Sequence, residues 1–163
     1  MTDSSLSAPR SAAEQQRLEA MLREVFEQHL RFNAMIGLRV VSLAPAAPQL
    51  AFDMRPELIG QYLHNRLHGG VIATALDTVG GLAVAVSIGE KFHDESAEQV
   101  AHRFAHVGTI GLHTSYLRQG IGKTFTATGQ VTRLGGRIAS VQMRLENEKG
   151  LLIATAGADY VVS

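Results

Sequence analysis

The segment HGGVIATALDTVGGLAVAVSIG, residues 68–89, decides the fold of this 163-residue chain. It is almost entirely apolar, and after His68 its only ionisable side chain is that of Asp77. The segment is too long for one strand, and its Ala, Leu, Ile and Val residues cover every side of a helix. We therefore predict a helix over residues 68–89 that begins at its glycine pair, ends at Gly89 and is buried on all sides.

Asp77 is the unusual residue of this helix. An ionised carboxylate among apolar side chains loses hydration that its own helix cannot replace, so it is neutral, held in an ion pair or cap, or used in chemistry. We favour chemistry, because perturbed carboxylates cluster at functional sites. The neighbouring His68-Gly69-Gly70 sequence supports this, since bare backbone lets a ligand approach the helix N-terminus, where free N–H groups favour negative charge.

Composition limits the possible partners. Fifteen basic and fifteen acidic residues give no net charge, and there is no basic run, so we predict a small ligand rather than nucleic acid or a membrane. The absence of cysteine excludes disulfides and thiolate chemistry and fits a cytoplasmic location. Residues 1–10 lack the apolar core of a signal peptide and are expected to form a disordered tail before one domain at residues 11–163.

The rest of the chain alternates between helical and strand patterns. A capping box at Ser11 begins an amphipathic helix that ends near Gly37, and a polar segment at residues 90–107, which carries Phe104 on an apolar stripe, indicates a short helix or lid. Six strands are predicted, at residues 38–43, 50–55, 109–118, 123–133, 137–147 and 151–162. These elements predict an α+β fold, an antiparallel sheet of about six strands wrapped around the central helix, with an extra N-terminal helix.

Known site motifs are mostly absent: the chain has no GxSxG elbow, no phosphate loop, no GxGxxG after a strand and no HExxH. Two pairs of histidines stand four residues apart, His64 with His68 and His102 with His106. Neither pair has an acidic third ligand at a recognisable spacing, so we predict no metal site. What remains is a helix N-terminus able to polarise a carbonyl and, at Asp77, a carboxylate able to activate water or attack directly.

The sequence LHGGVIATALDTVGG, followed downstream by GTIGLHTSYLRQG and a closing meander, resembles the hotdog-fold acyl-CoA thioesterases. The resemblance is to the branch typified by the phenylacetate-pathway enzyme, and especially to the medium- and long-chain acyl-CoA thioesterases related to it. The resemblance extends from about residue 35 to the C-terminus. It implies a hotdog fold, hydrolysis of acyl-CoA thioesters in fatty acid metabolism, and no cofactor beyond the coenzyme A carried by substrate and product.

The resemblance also implies roles for individual residues. Asp77 would be the general base or the nucleophile, Gly69 would lend its backbone N–H to the thioester carbonyl, and His68 would shape that end of the pocket. Thr109 matches the Ser or Thr that holds the attacking water in relatives. The substrate contacts implied are Asn65, Gly70, Arg118, Gly136 and Arg137, of which the last three would meet the nucleotide and phosphates of coenzyme A.

Two positions depart from the family pattern. Tyr62 stands where several relatives carry an Asn six residues before the histidine, and Gln119 replaces the usual Pro after the third strand. The first departure affects how His68 or the substrate carbonyl is oriented. The polar segment at residues 90–107 is longer than in the smallest relatives. The sequence leaves two roles open for it: a cover over an acyl chain, or a surface helix without contact to the substrate.

Helix geometry indicates how many chains form one site. Gly69 and Asp77 stand roughly 12 Å apart along the helix axis, so one thioester carbon cannot meet both groups of one chain. Two helices paired antiparallel across a two-fold axis would bring Gly69 of one subunit to Asp77 of the other, as the resemblance to hotdog dimers also implies. We expect a homodimer with shared sites that assembles further as a dimer of dimers, a homotetramer.

Two other functions stay open on the sequence alone. One is a hotdog-fold hydratase or dehydratase that acts on acyl thioesters, and the other is a non-catalytic acyl-CoA-binding protein. The sequence also leaves open the acyl chain length, aromatic against aliphatic preference, and coenzyme A against carrier protein.

Overall fold

A computed structural model of the chain describes residues 8–163, so most of the predicted tail lies outside the described residues. Arg10 falls within them and belongs to the folded domain. Its guanidinium donates to the backbone oxygens of Gly89 and Phe92, at the end of the central helix. These carbonyls have no partner inside the helix and need a donor. Arg10 is therefore ordered, which differs from the disordered tail predicted to include it.

The elements follow one another along the chain as α1 (Ala12–Glu24), a π-helical turn (Val25–His29), α2 (Arg31–Ile36), β1 (Arg39–Ser42), β2 (Gln49–Asp53), a 3-10 turn (Pro56–Leu58), β3 (Ile59–Gln61), β4 (Arg66–Leu67), α3 (Gly69–Lys91), α4 (Ala97–Phe104), β5 (Gly108–Tyr116), β6 (Thr124–Leu134), β7 (Ile138–Asn147) and β8 (Leu152–Val161). Six strands form one sheet in the order β1-β2-β6-β7-β8-β5, with every neighbouring pair antiparallel. This sheet wraps around α3, so the predicted hotdog fold is confirmed.

The sheet meets α3 at very close range. A Cβ at Gly129 of β6 would lie 2.7 Å from the carbonyl oxygen of Val79 and 3.1 Å from the Cβ of Ala83. The inward-facing side chains that precede this glycine on β6, Phe125 and Ala127, are fully buried. The glycine thus sets how near the helix can approach, and the apolar face of the alternating strands forms the core.

Helix α3 differs from the predicted helix in two respects. It runs on to Lys91 with Phe92 as its C-cap, so Gly89 does not end it. Gly89 is buried instead where α1 crosses, and a Cβ there would lie 3.2 Å from Leu18. The helix is also not buried on all sides. A stripe of its residues is only partly buried or is exposed: Gly70, Thr74, Asp77 and Gly81.

Within the described residues, α3 is the one helix whose length and composition would allow it to cross a membrane. Of its most apolar window, 67% is buried inside the protein. Packing against the sheet therefore accounts for the hydropathy of this helix.

The predicted single N-terminal helix is interrupted. Ser11 caps α1 by accepting the N–H of Glu14 at 3.2 Å, but the Glu14 carboxylate accepts the N–H of Ala97 at 3.0 Å and so caps α4 instead of closing a capping box. The π-helical turn then shifts the helical register, and Leu30, with extended backbone, breaks the helix and is partly exposed. The helical region ends at Gly37, as predicted, with φ of 82°.

The six predicted strands are all present, with ends shifted by at most two residues. The hairpin of β3 and β4 was not predicted, because strands of three and two residues are too short to show alternation. Asn65 lies in its turn with φ of 46°, a left-handed conformation that Asn tolerates better than most residues. A local backbone requirement therefore explains the residue type at this position.

We expect Gly129→Ala to destabilise the fold by about 1–3 kcal/mol, because the added methyl group overpacks the contact between β6 and α3. Gly136→Ala is the matched control, since a Cβ at Gly136 meets no atom within 4 Å. Thermal unfolding of both variants checks this. Equal melting temperatures for the two variants would show that α3 can move away from β6 to accommodate the methyl group without loss of stability.

Candidate active site

The carboxylate of Asp77 lies on the open stripe of α3 and is held by two hydroxyl groups. Thr109 Oγ1 donates to Asp77 Oδ1 at 2.8 Å. The Tyr160 hydroxyl shares its one proton between the Asp77 backbone oxygen at 2.8 Å and Asp77 Oδ1 at 3.1 Å. Thr109 and Tyr160 are direct partners in the pairing of β5 with β8. Within residues 8–163 no basic side chain forms an ion pair with Asp77, so the ion-pair alternative does not describe this site.

Tyr160 is a residue that the sequence analysis missed. Its side chain is 2% exposed, and burial, followed by the charge and hydrogen bond of Asp77, raises the pKa of its phenol well above the ordinary value. The hydroxyl therefore keeps its proton and acts as a donor to Asp77. Alternation along β8 marks Tyr160 only as an inward-facing residue, and nothing local in the sequence connects it to a carboxylate on another element.

A depression of about 410 Å³ opens beside this carboxylate, and its wall is largely apolar. The rings of Phe26 and Phe104 form part of it, with their centroids 5.4 Å apart. Leu30 and Phe32, at the break between the π-helical turn and α2, and Val107 complete its apolar lining. The segment after the central helix thus reaches the pocket through Phe104 and Val107, as the lid interpretation requires. The contribution of the N-terminal helical region was not predicted.

Asn33 fixes the N-terminal wall of this depression to α3. It is a buried polar residue, and its Nδ2 donates to the carbonyl oxygen of Phe26 at 3.0 Å while its Oδ1 accepts from Thr78 at 3.2 Å. The Phe26 carbonyl needs this donor, because in the π-helical turn the N–H of Leu30 goes to Val25 instead. Asn33 therefore holds the helix break in place beside the carboxylate.

The N-terminus of α3 presents one free N–H group. His68 is the N-cap, and its Nδ1 accepts the N–H of Gly70 at 2.9 Å. The carbonyl oxygen of His68 accepts the N–H groups of Val71 and Ile72 at 3.0 and 3.3 Å. The Gly69 N–H donates to no acceptor in the part of the chain that the structure describes. It is thus the donor that an external oxygen can use at this end of the helix.

Gly69 and Asp77 do not line a common depression. Gly69 lines a second one, of about 390 Å³, together with Tyr116 and Arg118. The Tyr116 hydroxyl donates to the Gly69 carbonyl at 3.0 Å, and Arg118 donates to the carbonyl of Leu152 at 3.0 Å. The structure therefore brings Arg118 to the Gly69 end of the helix and Thr109 to Asp77.

The remaining residues implied by the family resemblance are not brought to these two places. Asn65 is exposed in its hairpin turn and lines neither depression. Gly136 lies beside Lys91, at the opposite end of α3 from Gly69, and Arg137 follows it in the same turn. One chain by itself thus does not group Gly136 and Arg137 with Arg118.

The histidine pairs have ordinary surroundings. The rings of His102 and His106 meet edge to face with centroids 5.1 Å apart, and Nδ1 of His106 lies 3.0 Å from the carbonyl oxygen of His102. Among residues 8–163, no group of three or more His, Asp or Glu side chains is arranged to hold a metal ion.

Known proteins of the same architecture identify the class of protein. The family model of the thioesterase superfamily matches residues 64–154. The crystal structure of a Shewanella oneidensis protein related to that superfamily superposes with a TM-score of 0.87 at 37% sequence identity, covering 94% of this chain and all of the other. The chain therefore belongs to the thioesterase superfamily and is a thioester hydrolase.

Relatives named for a specific enzymatic activity align with most of this chain. The medium/long-chain acyl-CoA thioesterase YigI of Salmonella typhimurium is 39% identical over 142 residues, which cover 87% of this chain and 92% of the relative. The protein of the same name from Escherichia coli K12 is 37% identical over an alignment of the same extent. The similarity to these relatives extends beyond the residues that the family model matches.

Proposed function

We propose that this protein hydrolyses acyl-CoA thioesters to a free carboxylic acid and coenzyme A. The observation that carries the proposal is the Asp77 carboxylate, held by neutral hydroxyl groups at the end of an apolar depression. An apolar cavity of about 410 Å³ suits a flexible acyl chain, and a carboxylate on its wall can take a proton from a water molecule that attacks the thioester. Two relatives that align with 87% of this chain are named as medium/long-chain acyl-CoA thioesterases, which supports acyl-CoA as the substrate class.

In the proposed reaction Asp77 is the general base. The Thr109 hydroxyl donates a hydrogen bond to the carboxylate, so the lone pairs of its oxygen are free to accept a hydrogen bond from the attacking water. Asp77 takes a proton from this water while the water oxygen bonds to the thioester carbon. The carbonyl electron pair moves onto its oxygen, and its return expels the thiolate of coenzyme A, which recovers the proton from Asp77. The reaction uses water and groups of the protein alone.

The oxygen that becomes negative in this reaction needs a donor, and we assign the Gly69 N–H to it. That N–H has no acceptor among the described residues, and the dipole of α3 adds to its attraction for negative charge. Since Gly69 and Asp77 are separated along one helix, the donor and the base of one site come from two subunits.

The surface of one chain supports this pairing. β5 is an edge strand with exposed apolar side chains, and Ile110 on it is 58% exposed. Thr109 near one end of β5 bonds to Asp77, and Tyr116 at the other end bonds to Gly69, so the strand edge and the open stripe of α3 form one surface. An uncovered apolar edge strand pairs readily with another strand. We propose that two copies pair through this surface as a homodimer, and that dimers pair further into tetramers.

We expect Asp77→Asn to lower turnover by roughly a hundredfold or more, because the amide cannot take the proton from water. The amide oxygen still accepts from Thr109 and Tyr160, so the fold should be retained. Release of free thiol from acyl-CoA, measured beside thermal unfolding, checks both points. The control is Asp159→Asn, which alters an exposed carboxylate on β8 that bonds to Ser140. Turnover near the wild-type rate in folded Asp77→Asn would show that another group is the base.

We expect a mixture of two inactive variants, Asp77→Asn and Gly69→Pro, to recover activity after co-refolding. Proline has no N–H and fits the first position of a helix. His68, with φ of −64° and ψ of 136°, already has the extended conformation that a residue before proline requires. Random pairing makes half of the dimers mixed, each with one intact site, so about a quarter of wild-type activity should return.

Gly69→Ala is the control for this experiment, because it keeps the N–H and its Cβ would lie 3.4 Å from the Tyr116 ring, an ordinary contact. It should keep most of the activity. Verified mixed dimers that stay inactive, with both parent variants folded, would rule out the shared site. Measurement of the solution mass of each sample tests the dimer and the tetramer directly.

We expect Phe104→Ala to shift the preference of the enzyme towards longer or bulkier acyl chains. The substitution removes one ring from the wall of the Asp77 depression while leaving the catalytic groups in place. Relative rates over a series of acyl-CoA chain lengths measure the effect. Phe92→Ala is the control, because Phe92 precedes α4 but does not line this depression. Unchanged relative rates in Phe104→Ala would show that α4 does not contact the acyl chain.

A further inference from the structure

We infer that Tyr160 is a positioning residue which, together with Thr109, holds one oxygen of Asp77 and so makes the other, Oδ2, the oxygen that receives the proton from water. This inference rests on the proposed role of Asp77 as the base. It concerns which atom of Asp77 reacts and what keeps that atom in place.

The two hydroxyl groups converge on a single oxygen. Thr109 reaches Asp77 Oδ1 at 2.8 Å and Tyr160 reaches the same atom at 3.1 Å. In the part of the chain that the structure describes, no donor reaches Oδ2. The single proton of the Tyr160 hydroxyl is shared between Oδ1 and the Asp77 backbone oxygen, while Thr109 donates to Oδ1 alone. Oδ1 is thus the oxygen that accepts from the protein, and Oδ2 is the oxygen left open to a water molecule. Two fixed donors on one oxygen also restrict rotation of the carboxylate.

Tyr160 is better placed than Thr109 to fix this orientation. Thr109 lies on an exposed edge strand, where the pairing register with β8 shifts between Thr109 and Gly111. The Tyr160 ring is buried, and its hydroxyl also reaches the backbone oxygen of Asp77 at 2.8 Å. The tyrosine is thus tied both to the helix backbone and to the side chain that projects from it.

Gly80 makes this contact possible. It lies nearly one helical turn after Asp77, and a Cβ at Gly80 would overlap the Tyr160 hydroxyl and come within 3.2 Å of Met143 Sδ. Since Gly80 has no positive φ, backbone conformation does not require glycine here. Glycine is needed at position 80 because any side chain there would occupy the space of the Tyr160 hydroxyl.

Tyr160 acts through Asp77 and not on the substrate. Burial and the nearby carboxylate raise the pKa of its phenol, so at neutral pH the hydroxyl is a donor that neither loses its proton nor takes one from water. Its contribution is therefore to the orientation of the base, and loss of the hydroxyl should lower the rate of the chemical step and leave substrate binding unchanged.

The test is Tyr160→Phe, which keeps the ring and removes only the donor. We expect kcat to fall between about tenfold and a hundredfold, as for a misplaced catalytic group, with KM within about twofold of wild type. Thr132→Val is the matched control, because it removes a hydroxyl that bonds to the Ser140 backbone elsewhere in the sheet, and its kinetics should match the wild type. A lower melting temperature with unchanged kcat in Tyr160→Phe would show that the tyrosine is only structural and would overturn the inference.

Gly80→Ala provides a second test that retains the tyrosine. The new methyl group should push the hydroxyl off Asp77 and lower kcat in the same way, with KM again unchanged. Wild-type kcat in folded Gly80→Ala protein would overturn the inference even if Tyr160→Phe could not be purified. Asp77→Asn separates the two proposals: if it is inactive while Tyr160→Phe is fully active, the positioning role alone is wrong, and if it is active, the proposed base is wrong.

Discussion

The close packing of α3 against the sheet, with one stripe left uncovered, is the constraint on which the rest of the structure depends. Gly129 sets the distance between helix and sheet, and at that distance the inner face of the sheet is formed mainly by apolar side chains. A carboxylate on any covered side of α3 would be buried without water. Asp77 is tolerated because it projects into the stripe, where solvent and hydroxyl groups reach it.

The helices outside the sheet turn this stripe into a pocket. Glu14 of α1 caps α4 through the N–H of Ala97, and Arg17 forms an ion pair with Glu98, so the two helices are joined at the start of α4. Phe26 of the π-helical turn that follows α1 meets Phe104 of α4 further along, beside the carboxylate. Because exposed ion pairs contribute little, the helix cap and the aromatic contact are the stronger restraints on this wall. The apolar part of the site is thus built from α4 and from the N-terminal helical region, which precedes the residues that the family model matches.

Much of the fold followed from local patterns, whereas the site followed only in part. The length and composition of α3 and the alternation of the strands predicted the architecture, and the family resemblance placed Thr109 near Asp77, as the structure does. The end of α3 could not be predicted, because its last carbonyls are satisfied by Arg10, far away in sequence. Asn33 and Tyr160 were missed for the same reason: each acts through a partner on another element, and one sequence carries no record of such pairs.

The N-cap of α3 determines what kind of group this helix end can hold. A phosphate at a helix N-terminus is normally cradled by several N–H groups together. Here the ring and carbonyl of His68 accept the N–H groups of Gly70, Val71 and Ile72, and only the N–H of Gly69 is left. A single N–H suits one oxygen atom, such as the carbonyl oxygen of a thioester in the proposed reaction. The same cap that starts the helix therefore favours a carbonyl over a phosphate at this position, and the phosphates of a coenzyme A substrate need contacts elsewhere on the protein.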